Sequence, residues 1–504
     1  MTRRAVTTYG APANAPAAQE PLAREPPRTE SRPSHKQLSS AMRCLGISPA
    51  SLRSSQRHEY DDDDCTSARA ASRKFYTIIT SDLLIPGDGE PLPDSAIVVE
   101  SAIIVWVGPR DRIPPSYREA RHRLQHVPYM MPGLWDVHVH FGAASEDPEQ
   151  AAKTWTYGPL AEHPATQGAR LGRECWRALQ MGYTSMRDCG GLGCELAAAI
   201  DDGAIPGPRV YSAGAYISQT AGHGDQFNMP PGDALLRMGV GSVRPGFFCD
   251  QTAVLADGPD ECRKAVRLQV RRGARCIKIM ATGGVVSLDD DPDAAQFSAD
   301  EMHALVDEAR RMGRAVAAHC HAKAGILASI HAGVTTIEHG SFADEECVAL
   351  MKERGVIYVP TRRAVTNLLE FKDQLPRKVR EKLEMVDARQ LAAYRLAVAA
   401  GVRIAMGTDT VPGGVRGVEI QHGVEAGLTN LQALKAATAT APLTLGRQGP
   451  RSGQLKVGYD ADVLGLTENP AEDVKVLQRG EVIKWVWKGG KLFKGPGVGP
   501  WGEE

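Results

Sequence analysis

One pattern of apolar and polar positions repeats between residues 171 and 407: an amphipathic stretch, a glycine, then a short apolar run. Residues 171–182 lead to 184–188, 261–273 to 276–280, and 298–313 to 315–319. The same step takes 323–333 to 335–339, 344–355 to 357–360, and 391–401 to 403–407. A period near 3.6 predicts a helix with one buried face, and a short continuous apolar run predicts a strand buried on both sides. The glycine between them predicts a left-handed helix C-cap. Helix, stop and buried strand together form the return half of a β/α unit. A run opening at Met130 and ending in His138 predicts the first strand, and residues 209–217 predict the third, which brings the ring to eight. The fold class expected is therefore α/β, a (β/α)8 TIM barrel over residues 128–442.

The flanks have a different texture. Residues 75–84, 96–99 and 103–107 are β-rich, with turn chemistry at Pro86-Gly87-Asp88-Gly89. Similar runs return at 462–466, 483–487 and 491–493. Neither set makes a stable sheet alone, so residues 73–127 and 443–504 are predicted to pair into one small β-sandwich domain. Residues 1–72 are rich in Pro, Ala, Ser, Arg and Glu without apolar periodicity, and read as a disordered N-terminal extension. The acidic run at 61–64 within it reads as solvated charge.

Composition narrows the function. The chain has 504 residues, 42% of them apolar, enough for a large core and a satellite domain. A net charge of −1 gives no electrostatic footprint for nucleic acid or an anionic membrane. Ten cysteines without a CxxC pair suggest reduced thiols. Cys320 alternates away from its neighbours His319 and His321 on the predicted strand and reads as a core thiol. No stretch is long and apolar enough to span a bilayer, and no apolar run follows Arg3 and Arg4, so a cytoplasmic protein is expected.

The chemistry sits at the ends of the predicted strands. In Asp136-Val137-His138-Val139-His140, the period of two puts both imidazoles on one side, able to grip one cation. Lys278 interrupts the apolar run Cys276-Ile277-Lys278-Ile279-Met280. A lysine there is costly unless its charge is paired with a buried carboxylate or removed, for example by reaction with CO2 to give a carbamate that could bridge two cations. Gly283 and Gly284 follow as a plain turn or a place of close approach. His319, His339 and Asp409 end the fifth, sixth and eighth strands. All six candidates fall at strand C-termini, the catalytic face of this fold. His321 shares a side with His319 and could serve a substrate carboxylate, a developing oxyanion or a supporting role. His223 and His163 are further substrate-binding candidates. Arg187-Asp188 reads as a structural ion pair, and Gly190-Gly191-Leu192-Gly193 as a turn.

This set resembles the binuclear metal-dependent amidohydrolase superfamily, with its His-x-His, carboxylated Lys, two His and an Asp. The nineteen residues between His319 and His339 resemble its Xaa-Pro dipeptidase and carboxypeptidase branch. Four stretches resemble that branch's ochratoxin-hydrolysing fungal members: Pro86-Gly-Asp-Gly-Glu-Pro91, Met131-Pro-Gly-Leu-Trp-Asp136, Ser218-Gln-Thr-Ala-Gly-His-Gly-Asp225 and Lys491-Leu-Phe-Lys-Gly-Pro496. Ala322 departs from the pattern, which has glycine there, and its methyl would tighten the substrate pocket. The resemblance implies two Zn2+ or other divalent cations. His138, His140 and Asp409 would hold one, His319 and His339 the other, with carboxylated Lys278 bridging. A metal-bridging hydroxide would be the nucleophile and Asp409 the acid–base group. The implied reaction is hydrolysis of an amide bond to a C-terminal amino acid, with ochratoxin A split into phenylalanine and ochratoxin alpha. The implied partner is a small-molecule amide or dipeptide-like substrate with a free carboxylate, and the implied assembly a homo-oligomer, octamers included. The rival readings are a hydantoinase-like cyclic amidase, a mononuclear deaminase with no use for Lys278, and a non-catalytic assembly protein, which would be expected to have lost ligands.

Overall fold

β-Branched and aromatic runs open the ordered chain as strands β1 (Phe75–Leu84), β2 (Leu92–Glu100), β3 (Ile103–Pro109) and β4 (Arg121–Pro132). The structure is a computed structural model that describes residues 74–142, 164–225, 227, 229–240, 252–287, 289–414 and 416–503. The expected extension over 1–72, its acidic run and His163 lie outside the described residues.

Strand β4 crosses the expected boundary at residue 127 and feeds the barrel. There β5 (Leu134–Val139), β6 (Tyr183–Asp188) and β7 (Arg209–Ser212) pair in parallel. Next come β8 (Tyr216–Ser218) with a side strand β9 (Ala253–Leu255), then β10 (Cys276–Met280), β11 (Ala315–Cys320), β12 (Thr336–His339) and β13 (Ile357–Val359), also parallel. The third strand expected over 209–217 is thus split into β7 and β8. Gly214 lies between them at φ +70°, and the ring continues because β7 pairs with β6 while β8 pairs with β10. The eighth position is occupied by residues 403–410, which make isolated bridges rather than a ladder. Tyr358 pairs with Ile404 and Val139 with Thr410, while Val137 N donates to Met406 O (3.0 Å) and Asp409 N to His138 O (2.7 Å), closing the ring onto β5.

The expected glycine stops are in place: Gly273, Gly333 and Gly355 cap their helices in the left-handed conformation. At the N-terminal ends of the strands the interior is packed by Trp135, stacked on Tyr211 (5.3 Å), with Ile357, Ala405, Ala441 and Leu445. Polar chemistry is left to the other end. Cys320 is buried, its Sγ 3.3 Å from Ser329 Oγ.

The chain ends return as β14 (Val463–Leu466), β15 (Ile483–Lys488) and β16 (Lys491–Lys494). They join the first four strands in one seven-stranded mixed sheet of order β16-β15-β14-β4-β1-β2-β3, the form taken by the sandwich expected from both ends. Alternation buries Ile79, Ile97 and Val127 in one cluster, and Tyr76, Ile78 and Val98 in another. Among the described residues, no helix is long and apolar enough to cross a membrane.

The hinge between sheet and barrel is Gly133, where an added Cβ would lie 2.1 Å from Thr184 Oγ1 and 2.5 Å from its Cγ2. Gly133→Ala is expected to destabilise the protein by roughly 1–3 kcal/mol, read by chemical denaturation. A second substitution, Thr184→Ala, removes those two atoms but leaves the Thr184 Cβ at 2.8 Å, and is expected to recover part of the loss beyond its own effect. Full additivity of the two changes would refute the steric explanation.

Candidate active site

Strand β5 delivers two imidazoles to one side, and Asp136 locks their approach. Its Oδ1 accepts from His138 N (3.0 Å) and Thr408 N (3.1 Å), and its Oδ2 accepts from Thr408 Oγ1 (2.7 Å). Asp409, which follows Thr408, is thereby brought beside the pair. Its Oδ1 is 3.4 Å from His138 Nε2 and 3.1 Å from His140 Nε2. The three ligand atoms lie within 4.8 Å of one another. Two imidazole nitrogens and one carboxylate fit a divalent cation such as Zn2+, Co2+ or Mn2+.

Lys278, fully buried on β10, places Nζ 3.1 Å from His138 Nε2. Among the described residues no carboxylate lies in ion-pair contact with it, so the alternative of a lysine paired with a buried carboxylate is not what the structure contains. His319 on β11 and His339 on β12 bring their rings to 4.5 Å, and His339 is 5.1 Å from His138. The four imidazoles, Lys278 and Asp409 therefore gather from four strands and the closing segment into one ring, buried except at the partly exposed Asp409.

One nitrogen of each imidazole is committed to the protein. His138 Nδ1 meets Glu338 Oε2 (2.7 Å), His140 Nδ1 meets Gly190 O (3.1 Å), His339 Nδ1 meets Thr361 Oγ1 (2.6 Å), and His319 Nε2 meets Gly283 O (3.2 Å). Such bonds fix ring orientation and tautomer and leave the other nitrogen for a ligand. Burial, reinforced by the Lys278 charge, pushes His138 down to about 4. Burial and neighbouring imidazoles push His319 and His339 well below the usual range, so these rings are neutral at pH 7. Burial pushes Asp409 up, but His138 and His140 outweigh it and hold the carboxyl down at about 2.

Two of the candidate ligands occupy strained backbone: His339 has φ +68° and Asp409 φ +54°. Left-handed geometry costs a residue with a Cβ roughly 1–2 kcal/mol. Thr361, which holds His339, is itself at φ +53° and precedes a helix (Arg362–Glu370) whose first amides donate to Glu419 at 3.0 and 2.7 Å. The surrounding network over-determines these conformations.

Arg187 and Asp188 do not pair as the sequence suggested. Consecutive strand residues face opposite ways, and Arg187 instead donates to Glu338 Oε1 (2.7 Å), Thr336 Oγ1 (3.0 Å) and Val137 O. Asp188 accepts from Phe141 N, Gly190 N, Gly193 N and Ser212 Oγ. Glu338 was missed by sequence reasoning. Its signal was available, a carboxylate inside the buried run Thr336-Ile337-Glu338-His339. A second possible metal grouping, His138 with Cys189 and Glu338, is the back of the same cluster, because His138 Nδ1 is already bonded to Glu338.

Of the expected substrate residues, His321 stacks on His339 (5.0 Å) with Nδ1 on Ser341 Oγ (2.8 Å). His223 stacks on His319 (4.4 Å). It fits because Gly284 has no side chain: a Cβ there would lie 2.0 Å from His223 Cε1. Ala322 is buried at the N-cap of the helix Lys323–Ala332.

The sequence profile of the amidohydrolase family matches residues 129–493. The chain is 53% identical over 430 residues to the ochratoxinase of Aspergillus niger, spanning 85% of this chain and 88% of that one. The crystal structure of A. niger ochratoxinase matches with a TM-score of 0.81 at 52% identity, over 86% of this chain and 98% of that one. A Xaa-Pro dipeptidase crystallised with methionine in its active site matches at 31% identity and TM-score 0.72, over 83% and 100% of the two chains. A prolidase complexed with N-methylphosphonate-L-proline matches at 30% identity and TM-score 0.73, over 83% and 99%.

Glu338→Gln keeps the volume but weakens the grip on His138 and Arg187. It is expected to reduce metal affinity by roughly 10–100-fold, measured by competition with a chelator. A second expectation concerns pH. Burial first, then neighbouring charge, push His138 and His321 to about 4 and about 3, whereas the unfolded chain titrates near ~6.5. Below ~6.5 the unfolded chain binds protons that the folded state refuses. The metal-free protein should therefore lose about 1.4 kcal/mol per group per pH unit as pH falls towards those folded values. Differential scanning calorimetry of the wild type and His321→Asn at pH 7 and pH 5 isolates one such group from the carboxyls that titrate in the opposite sense: the wild type should lose more stability between the two pH values, and an equal loss would contradict it.

Proposed function

The chain belongs to the amidohydrolase family, and on that premise we propose that it is a binuclear zinc hydrolase acting on ochratoxin A and related N-acyl amino acids. Amide hydrolysis follows from the family and from the close relatives at 53% and 31% identity. The relative named ochratoxinase supports the substrate, and the dipeptidase with bound methionine supports an amino acid as the departing half.

The observation that carries the reading is Lys278: buried, without a carboxylate partner among the described residues, and 3.1 Å from an imidazole nitrogen. An ammonium there would be costly. Reaction of its neutral amine with CO2 forms an N–C bond, releases a proton and leaves an anionic carbamate suited to bridging cations. His138, His140 and Asp409 would hold one ion, His319 and His339 the other, with carboxylated Lys278 between. When bound, the ions would supply Lewis acidity at the scissile carbonyl and lower the pKa of water towards ~7.

The chain's own groups then divide the remaining work. Asp409, ionised because His138 and His140 hold it down, takes the proton of the attacking water and passes it to the departing amine nitrogen. His321, oriented by Ser341 and stacked on His339, offers Nε2 to the oxygen on which charge develops. Arg187 and Glu338 keep His138 from turning. The products would be phenylalanine and ochratoxin alpha. The same reading includes a homo-oligomeric state, which light scattering on the purified protein tests.

Zinc-reconstituted protein is expected to hydrolyse ochratoxin A and N-acyl-phenylalanines, and to leave hydantoins and aminated heterocycles untouched. Lys278→Ala should lower turnover by at least about a hundredfold and reduce zinc below two ions per chain. Full turnover in that variant would remove the bridging role, and ring opening of hydantoins alone would favour a cyclic amidase.

A further inference from the structure

The barrel wall has a gap where its third strand is split. β7 pairs with β6 and β8 with β10, so β7 and β10 share no ladder, and Arg275 N donating to Ser212 O (2.8 Å) ties them instead. A cavity of about 370 Å3 fills this gap, lined by β7, the helix Gly193–Asp201 and the turn at Gly273. That volume is within the range of small-molecule sites. Arg209 opens β7 and Arg275 precedes β10, so the cavity belongs to the N-terminal end of the strands, away from the metal-ligand candidates at their other end.

Its lining carries two opposite charges that the protein leaves unanswered. Arg275 donates to Gln448 Oε1 (3.3 Å), and among the described residues no carboxylate lies in ion-pair contact with it. Nearby, Arg314 donates to Ala274 O (2.6 Å) and Met312 O (3.0 Å), and burial together with the Arg275 charge lowers its pKa. Two guanidiniums therefore stand close together with no acid in contact. Asp201 is the negative group. It ends the helix Gly193–Asp201, whose last turn has no basic residue, so its charge adds to the negative end of the helix dipole. Among the described residues Asp201 accepts no side-chain hydrogen bond and makes no ion pair, and the neighbouring Lys488 donates instead to Gly207 O (2.6 Å). Arg209, the other cation of the lining, is committed to Asp460 and Asp462. Ala197, Ala198, Val210 and the ring of Tyr211, held by Trp135, supply apolar surface.

We propose that this cavity binds a free α-amino acid as its zwitterion, the carboxylate on Arg275 and the ammonium at the helix end beside Asp201. A plain carboxylate would meet Asp201 and the helix end as like charges, and a plain amine would meet Arg275 and Arg314 in the same way. A zwitterion gives each lining charge its opposite. An apolar or aromatic side chain suits the alanines, Val210 and the Tyr211 ring. Nothing in this lining belongs to the candidate metal site, so occupancy here is independent of which amide is hydrolysed.

Isothermal titration calorimetry with L-phenylalanine on the zinc-loaded protein tests this. A binding component is expected that persists in Asp409→Asn, which alters the metal site, and that weakens at least about tenfold in Arg275→Gln and in Asp201→Asn. Arg275→Lys keeps the cation and should retain part of the affinity. On the wild-type protein, 2-phenylethylamine and 3-phenylpropionate, each lacking one of the two charges, should bind at this component at least about tenfold more weakly than L-phenylalanine. These two ligands probe the charges on the unaltered chain, so the test survives a variant that fails to fold. Three results overturn the proposal: absence of the component in the wild type, its loss in Asp409→Asn while both cavity variants bind as the wild type does, or either single-charge ligand binding as tightly as L-phenylalanine.

Discussion

A guanidinium buried inside the barrel is the constraint on which the rest of the site depends. Arg187 is fully enclosed, and it reaches Val137 O on β5, Thr336 Oγ1 and Glu338 Oε1 on β12 from its own place on β6. Glu338 passes the connection on through Oε2 to His138. Taking both charges out of water is costly, and only the near-complete hydrogen bonding of each makes it tolerable. The return is geometric. Strands far apart in the ring are pinned to one another directly behind the imidazole that stands closest to Lys278.

Strain at the site is held by the same kind of over-determination. His339, Thr361 and Asp409 all adopt left-handed backbone that residues with a Cβ avoid. Thr361 ties His339 to a helix N-terminus through Glu419, and Asp136 ties Asp409 to β5 through Thr408. Burial pushes Asp136 up to about 7 and Glu419 up to about 8, so two carboxyls within the supporting frame sit close to neutrality.

What could be read from the sequence was whatever depends on neighbours along the chain. Helix, glycine and buried strand are local signals, and Gly273, Gly333 and Gly355 adopt the left-handed caps that the pattern requires. The convergence of His138, His140, Lys278, His319, His339 and Asp409 followed from a rule about strand ends. What escaped were pairings set by the third dimension. Arg187 was matched to the adjacent Asp188 although the pleat sends the two apart, and its partner lies 151 residues away. Lys382 has the sequence setting of an exposed helical lysine, yet its ammonium is held by the carbonyls of Gly284, Ser287 and Asp290 in a loop about ninety residues earlier. The split of the third strand at Gly214, and the bridge-only eighth strand, depend on how backbone meets backbone around a closed ring.

The placement of β4 has a consequence for how this chain is made. One edge of β4 pairs with β1, and the other waits for β14, where Val463 meets Pro132 and Leu464 meets Met131. A chain emerging from the ribosome therefore carries an unpaired strand edge while every residue of the barrel is synthesised. The late-arriving β14 must find that edge before a second nascent copy does, so closure of this sheet waits on a strand made more than three hundred residues after its partner.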